Sequence, residues 1–391
     1  MGGVLMEVLI VGAGIAGLTL ADQLEQQGYS VLIVEQAPGP RTEGYMMDFM
    51  GAGYDVAERI GLLPDLESIH YPIETLNTIR PDGTIKYSLR YKDVRALLNN
   101  RHFNFMRGDL ERILLERVKD RIQIRYSTTV TSIQQDNSMV HVVLSDETTL
   151  DVDLLVGADG IHSKVRSMAF GESDQFIRYM GYNTAAFTFP RTSTYKSVYS
   201  FDSLAEPKRQ VTLYSIEGDR LAAFFLFNKE KPSGRISREQ AIEELRANYG
   251  DMGWVVPDVL KEANNASDFY YDDVSQVEMS RWVKGRIVLV GDACQCVSLV
   301  AGQGASLAMA GPYTLARCLE KSNGNLSRGS ADYEEIMVPQ VTKVQSSARK
   351  FASFYFPETR WQLFFRDLIM RASVVPVLRN FIKFKSVRIP K

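Results

Sequence analysis

Three short stretches rich in glycine and aspartate stand far apart in the chain: Gly12-Ala13-Gly14-Ile15-Ala16-Gly17, Gly157-Ala158-Asp159-Gly160 and Gly291-Asp292. Each follows an aliphatic run that reads as the end of a strand. Glycines at the first spacing suit a pyrophosphate: Gly12 permits a tight turn, Gly14 lets the backbone approach the ligand, and Gly17 lets helix and strand pack closely. The amides and dipole at the start of the following helix then face the negative phosphates. Carboxylates at the other two turns can accept hydrogen bonds from sugar or polyol hydroxyls. Three such turns on the carboxyl ends of strands describe one dinucleotide site.

The elements that must position these residues are legible nearby. Residues 8–11 form an aliphatic strand of the kind buried on both faces, and Leu18, Leu20, Ala21 and Leu24 continue at helical spacing. A second strand, Val31-Leu32-Ile33-Val34, ends at Glu35, near the offset of about 20 residues expected of a ribose-binding carboxylate. Its charge would repel a 2′-phosphate, so the site suits FAD or NAD better than NADP. Gly51-Ala52-Gly53 is set aside, because it lacks a third glycine and a strand ahead of it.

The composition excludes several other classes. The chain has 391 residues, enough for one or two domains, and a formal net charge of −2, which argues against a nucleic-acid binder. Cys294, Cys296 and Cys318 show no zinc spacing, and the four histidines at 70, 102, 141 and 162 are scattered, so no metal site is expected. The apolar N-terminus has no basic region before it, and no run approaches the ~18 apolar residues of a membrane span. A cytoplasmic protein with reduced thiols is expected.

Along the chain, residues 55–63 read as a helix stopping near Pro64, and residues 75–89 as a hairpin turning at Pro81-Asp82-Gly83. Residues 110–118 read as an amphipathic helix, and 122–133, 140–144 and 149–156 as consecutive strands. Strand-like runs at 184–189, 211–214 and 221–227, with a helix at 238–249, suggest a second, antiparallel-sheet body. The glycine-and-strand pattern returns at 285–290, so the first body is discontinuous. The expected fold is α/β: a Rossmann-like cofactor domain (1–74, 100–180 and 276–340), an α+β substrate domain (75–99 and 181–275), and a helical segment over 341–391. The basic, aromatic tail at 379–391 reads as a helix packed on its own protein rather than a membrane contact.

In this order the motifs resemble the group A flavoprotein monooxygenases, the para-hydroxybenzoate hydroxylase fold, over nearly the whole chain. The resemblance implies that the glycine loop and Glu35 hold the adenosine and pyrophosphate of FAD. It implies FAD-proximal roles for Arg41 and for Arg107 in Arg107-Gly108-Asp109-Leu110. Asp159, Gly160 and Arg166 fall in the family's Asp-Gly motif, associated with FAD and nicotinamide pyrophosphates. Asp292, after Gly291, matches the ribityl-binding aspartate, and Gly302-Gln303-Gly304 would lie along the isoalloxazine ring. Trp282-Val283-Lys284-Gly285-Arg286, Ala301-Gly302-Gln303-Gly304 and the helical extension are similar to the branch that inactivates tetracycline and acts on polycyclic natural products. One departure stands out: Val297 and Leu299 occupy the family's usual proline positions beside the flavin.

The resemblance implies an external monooxygenase. NADPH or NADH reduces FAD, dioxygen adds at flavin C4a, and the hydroperoxide hydroxylates an aromatic or polycyclic small molecule. The cofactor carries this chemistry, so no catalytic side chain is assigned; His162 reads as a local polar contact. Substrate would lie against the second sheet, where Phe187, Tyr214 and Phe225 lead a set that includes Phe189, Phe224 and Phe227, half of which strand alternation turns away. Monomers or weak dimers are expected. The alternatives are a flavin-dependent halogenase (though no Trp-x-Trp-x-Ile-Pro stretch is present), a reductase, or a non-catalytic FAD protein that sequesters a natural product.

Overall fold

The computed structural model describes residues 6–40, 45–373, 387 and 389. One layer is a six-stranded sheet in the order Val283–Lys284, Ile287–Leu289, Leu154–Gly157, Glu7–Val11, Ser30–Val34, Gln123–Arg125. Every neighbouring pair is parallel except the first, at the edge. Val8, Leu9, Ile10, Leu154, Leu155 and Val156 are buried, because helices cover the sheet and leave no polar face to alternate with. The helix Ile15–Gln26 lies against this sheet and packs in turn on Gly304–Lys321 and Arg107–Val118. The parallel strands deliver Gly12, Glu35, Ala158 and, through Val290, Gly291 to one edge.

The second layer is a seven-stranded sheet in the order Tyr270–Val277, Ile177–Pro190, Arg220–Asn228, Arg209–Ile216, Ser200–Glu206, Thr75–Ile79, Ile85–Arg90. All pairs are antiparallel except Ser200–Glu206 with Thr75–Ile79. Helices Arg238–Tyr249 and Val256–Glu262 cover its outer face, over a core of Phe187, Phe189, Phe225, Phe227, Leu245 and Tyr249. The first of these helices starts at a reciprocal capping box between Ser237 and Gln240. The α/β fold expected from the sequence is therefore the one observed.

Several elements differ from the expectation. The run 149–156 divides at Asp153: Thr149–Val152 joins a three-stranded antiparallel sheet, while Leu154–Gly157 enters the parallel one. Asp153 makes the switch, its amide donating to the Glu7 carbonyl and its carboxylate accepting the Glu7 amide at 2.9 Å. The run 122–133 likewise splits into Gln123–Arg125 and Val130–Gln135. A strand, Met46–Met50, does precede Gly51-Ala52-Gly53, but it pairs antiparallel with His102–Met106 outside the parallel sheet. Pro64 does not stop a helix. It starts one, Leu63–Ser68, at a position where its missing N–H costs nothing. The final helices, Leu326–Tyr355 and Arg360–Ser373, begin earlier than expected, and the first runs through Pro339. The tail 379–391 lies, but for residues 387 and 389, outside the described residues. Among these, no helix is long and apolar enough to cross a membrane, and no acidic, histidine and cysteine group could hold a metal.

Candidate functional site

The three turns interlock through their glycines. Gly12 has φ of 110°, and a Cβ there would lie 2.5 Å from the Ala158 carbonyl oxygen; one on Gly291 would lie 2.6 Å from the Ala16 Cβ. A Cβ on Gly17 would fall 1.9 Å from the Gly12 carbonyl oxygen, the close helix–strand approach expected of the third glycine. Gly14 differs, since only an Arg107 Nη2 comes near, at 3.8 Å from its would-be Cβ. Gly14 is also the cap of the helix Ile15–Gln26, whose first amides receive no side-chain cap and whose first turn carries no acid. Such a terminus is a fitting place for an anion.

Glu35 sits just past the second strand and accepts the Ala13 and Ala37 amides, each at 2.8 Å. It ties the glycine loop to the neighbouring strand and keeps lone pairs for ribose hydroxyls. Arg107 opens the helix Arg107–Val118, with Nη2 3.0 Å from the Glu111 carboxylate. Asp292 opens the short helix Asp292–Gln295. Water reaches its side chain, yet the protein around it pushes its carboxyl above the usual range; the Arg107 cation opposes the shift and Asp272 adds to it. Gly302 closes a turn with φ of 60°, and Gln303 caps the helix that begins at Gly304. Arg41 lies outside the described residues.

Asp159 and Arg166 are occupied within the protein. Asp159 accepts from the Ser163 hydroxyl at 2.5 Å and from the Lys164 and Val165 amides at 2.7 and 3.1 Å, so it caps the helix Lys164–Ala169, and burial raises its carboxyl. Gly160 shapes the same turn, with φ of 78°. Arg166 is wholly buried and donates to the Ile161 carbonyl at 2.6 Å and the Ala293 carbonyl at 2.8 Å. It fastens the second turn to the third rather than reaching outward. His162 is exposed.

The loop at Val297 and Leu299, which lacks the prolines of the resemblance, is held by glutamines. Gln345 Nε2 donates to the Cys296 carbonyl at 3.0 Å, and Gln276 Nε2 to the Val297 carbonyl at 3.0 Å. Both glutamines are buried.

The aromatic candidates separate by strand parity. Phe187 and Phe225 belong to the covered outer core with Tyr249 and are not accessible lining, which corrects the expectation for both. Tyr214 points the other way: its hydroxyl accepts the Met46 amide at 2.8 Å, and its ring stacks on Phe201 at 5.1 Å. On this inner face Tyr45 packs against Phe224 at 5.5 Å and Tyr270 at 5.8 Å, and the Tyr270 hydroxyl donates to Asp272 at 3.0 Å. Tyr45, Tyr270 and Asp272 escaped the sequence reading. The alternation of Tyr270, Asp272 and Val274 was the available signal, but paired acids in that stretch do not look like a strand. A cavity of about 570 Å³ beside His70, Ile73, Arg90, Tyr91 and Arg95 shares none of these residues.

Parallel strands, a glycine loop before an uncapped helix, the Glu35 carboxylate on that loop and Asp292 at a third turn are the features of a Rossmann-type dinucleotide fold. The family whose pattern matches, over residues 5–334, is the FAD binding domain, and the chain belongs to it. A flavin-dependent monooxygenase of Legionella longbeachae serogroup 1 (strain NSW150) is 30% identical over 342 residues, covering 85% of this chain and 85% of that one. The crystal structure of tetracycline destructase Tet(55) aligns with a TM-score of 0.84 at 26% identity, covering 99% of both chains. Klebsiella pneumoniae HpxO complexed with FAD and uric acid aligns with a TM-score of 0.78 at 21% identity, over 96% of this chain and 97% of that one, which speaks to the fold alone. The protein is a flavoprotein monooxygenase with FAD as its cofactor, as the sequence resemblance implied.

Proposed function

We propose that this flavoprotein consumes NADPH or NADH and hydroxylates an aromatic or polycyclic small molecule at the C4a edge of FAD. The observation that carries the reading is the cluster of Tyr45, Phe224 and Tyr270 rings on the inner face of the seven-stranded sheet, with Asp292 and Arg107 near enough to act on the Tyr45 hydroxyl. The likeness to the tetracycline destructase fold favours a polycyclic substrate. In this reading the two sheets divide the chain at the boundaries given above, into a discontinuous cofactor body and a substrate body.

The glycine loop and the start of its helix would hold the pyrophosphate, Glu35 the ribose, Arg107 and Asp292 the ribityl region, and Gly302 to Gly304 one side of the ring. The chemistry FAD supplies there is acceptance of a hydride and activation of dioxygen. Asp159 and Arg166 act by fixing the loops around it. The aromatic wall orients a flat substrate and keeps water from the reacting edge.

The test is anaerobic reduction of the FAD-loaded protein by NADPH and by NADH, followed at the oxidised-flavin absorption band, with and without phenolic and polycyclic compounds. Faster reduction with one compound class supports the reading and identifies that class. No reduction under any condition, with FAD bound, would move a halogenase served by a separate reductase, or a non-catalytic binder, ahead of it.

A further inference from the structure

The helix Arg360–Ser373 is mounted with its apolar side outward. Trp361, Phe364, Phe365, Leu368 and Ile369 recur at the spacing i, i+3, i+4, i+7 and i+8, which gathers them on one face. A stripe of that kind ordinarily faces a core, yet each of these side chains is about half exposed or more, Trp361 at 74%. The rest of the protein holds the opposite, polar side. Asp367 is buried; its carboxylate pairs with Lys86 Nζ at 2.6 Å and accepts from the Tyr87 hydroxyl at 3.2 Å. Arg366 Nη1 donates to Gln210 Oε1 at 3.1 Å. Lys86 and Tyr87 belong to Ile85–Arg90, the edge strand of the seven-stranded sheet.

Exposed apolar side chains standing singly are ordinary, and a contiguous patch is not. Of the nine large apolar side chains exposed among the described residues, five stand on this helix, so the exposure is a patch rather than scatter. Charge and size identify what it meets. The one acid of the helix, Asp367, is buried and paired, while Arg360 and Arg371 near its ends are exposed. From Arg371 onward the sequence adds Arg379, Lys383, Lys385, Arg388 and Lys391 and no acid, in a chain of net charge −2. A helix of 14 residues is about 21 Å long and about 10 Å wide, a footprint of roughly 200 Å². A stable dimer buries about 800 Å² on each partner, and two copies meeting here would bring like charges together. An anionic lipid surface needs no matching patch: aromatic and aliphatic side chains enter the headgroup region and cations stay at the phosphates.

We propose that this face docks the protein in the plane of an anionic lipid surface, with Trp361, Phe364, Phe365, Leu368 and Ile369 entering among the lipids and the cations around them meeting the phosphates. No helix of the described residues is long and apolar enough to cross a membrane, so the contact is peripheral. The helix also lies beyond residues 5–334, so the FAD-binding pattern does not account for it. Docking brings the seven-stranded sheet, by its edge strand, to a phase in which apolar polycyclic molecules dissolve. The inference stands apart from the monooxygenase reading, and its test needs no turnover.

The FAD-loaded full chain would be sedimented with vesicles of phosphatidylcholine and phosphatidylglycerol, and with vesicles of phosphatidylcholine alone. The wild type should sediment with the mixed vesicles, less with the neutral ones, and less with the mixed ones as salt is raised. Phe364→Ser and Phe365→Ser together should lower the partition by at least about tenfold. Both side chains are exposed, so the bound-FAD spectrum should stay unchanged. Val198→Ser, at an exposed apolar position outside the helix, should leave the partition unaltered. Trp361 emission should shift to the blue on binding, and Trp361→Phe should abolish the shift while the protein still sediments, since Trp254 is partly and Trp282 wholly buried. No sedimentation of the wild type with the anionic vesicles, or equal partition of the double variant, overturns the proposal. So does a lipid-free dimer that the double variant abolishes, which would give the face to a second copy. Reduction of the flavin by NAD(P)H, measured without lipid, decides the monooxygenase reading separately.

Discussion

Arg166 offers the sharpest test of how the site is built, because its place in the sequence motif implies contact with the cofactor and its geometry gives it another task. Its guanidinium is wholly buried and spans two carbonyls, Ile161 in the second turn and Ala293 in the third. Burial lowers its pKa, and the Asp159 carboxylate opposes that shift. In Arg166→Met the two carbonyls lose their donors, while the buried cation's desolvation cost disappears. Leaving two buried carbonyls without their donors costs about 1–3 kcal/mol each, against a total stability of about 5–15 kcal/mol for a typical domain. The loss should be visible in urea denaturation of the apoprotein, before any FAD is added. Affinity for FAD, measured by fluorescence quenching, should fall as well, because Ala293 adjoins Asp292 and its loop is released. Arg166→Lys, which keeps the charge but not the fork, should recover only part of both. An apoprotein unchanged within about 0.5 kcal/mol, with FAD binding alone impaired, would refute the argument and return Arg166 to direct cofactor contact.

Other outcomes follow from the same geometry. Asp292→Asn should weaken FAD binding by about ten- to hundredfold, the worth of a hydrogen bond to a charged group, as read by equilibrium dialysis. Burial raises the carboxyls of Asp159, Asp272 and Asp292. Stability from each is therefore full below the ordinary carboxyl value of about 3.9 and is lost as pH rises through the raised one. Apoprotein denaturation midpoints should reflect that loss, and Asp292→Asn should reduce the slope. Gly17→Ala should prevent folding, since its Cβ meets backbone at 1.9 Å, whereas Gly14→Ala should leave apoprotein stability within about 1 kcal/mol yet impair FAD binding. Equal damage from both would show that Gly14 serves the fold and not the phosphate. Burial pushes the Cys318 thiol up to about 11 and raises those of Cys294 and Cys296 as well, so Ellman's reagent should label none of them at neutral pH until the protein unfolds.

Main-chain demands were what the sequence stated most clearly. Gly12 and Gly17 answer close backbone approaches that any helix laid on this strand would impose, and Glu35 stands at the end of a strand whose register is fixed by its buried neighbours. Side-chain direction was less legible. Asp159 lies four residues before Ser163, and a turn in that stretch can send the carboxylate outward to a ligand or back to cap the next helix; only the folded turn decides. Alternation showed that Phe224 and Phe225 face opposite ways, but not which faces the cleft. That was settled by the helix Arg238–Tyr249, whose buried Ala241, Ile242, Leu245 and Tyr249 claim the outer face and with it Phe187 and Phe225. Asp153 could not be read as a break, because its work is done through Glu7, far away in the chain.

The same dependence on distant partners accounts for the loop at Val297 and Leu299. Proline stiffens a loop locally by fixing φ, so its absence from the sequence suggested a looser edge beside the flavin. The loop is instead restrained from outside: the Cys296 carbonyl accepts from the Val277 amide and Gln345, and the Val297 carbonyl accepts from Gln276. Gln276 accepts in turn from Arg349 at 2.8 Å, which also pairs with Glu278. Gln345 and Arg349 both belong to the helix Leu326–Tyr355, which passes behind the loop. That helix therefore braces the loop at Cys296 and Val297, and the strand that carries Gln276 also carries Tyr270 and Asp272. Gln276, Gln345 and Arg349 thus restrain the loop through partners far away in the chain, which local sequence does not disclose.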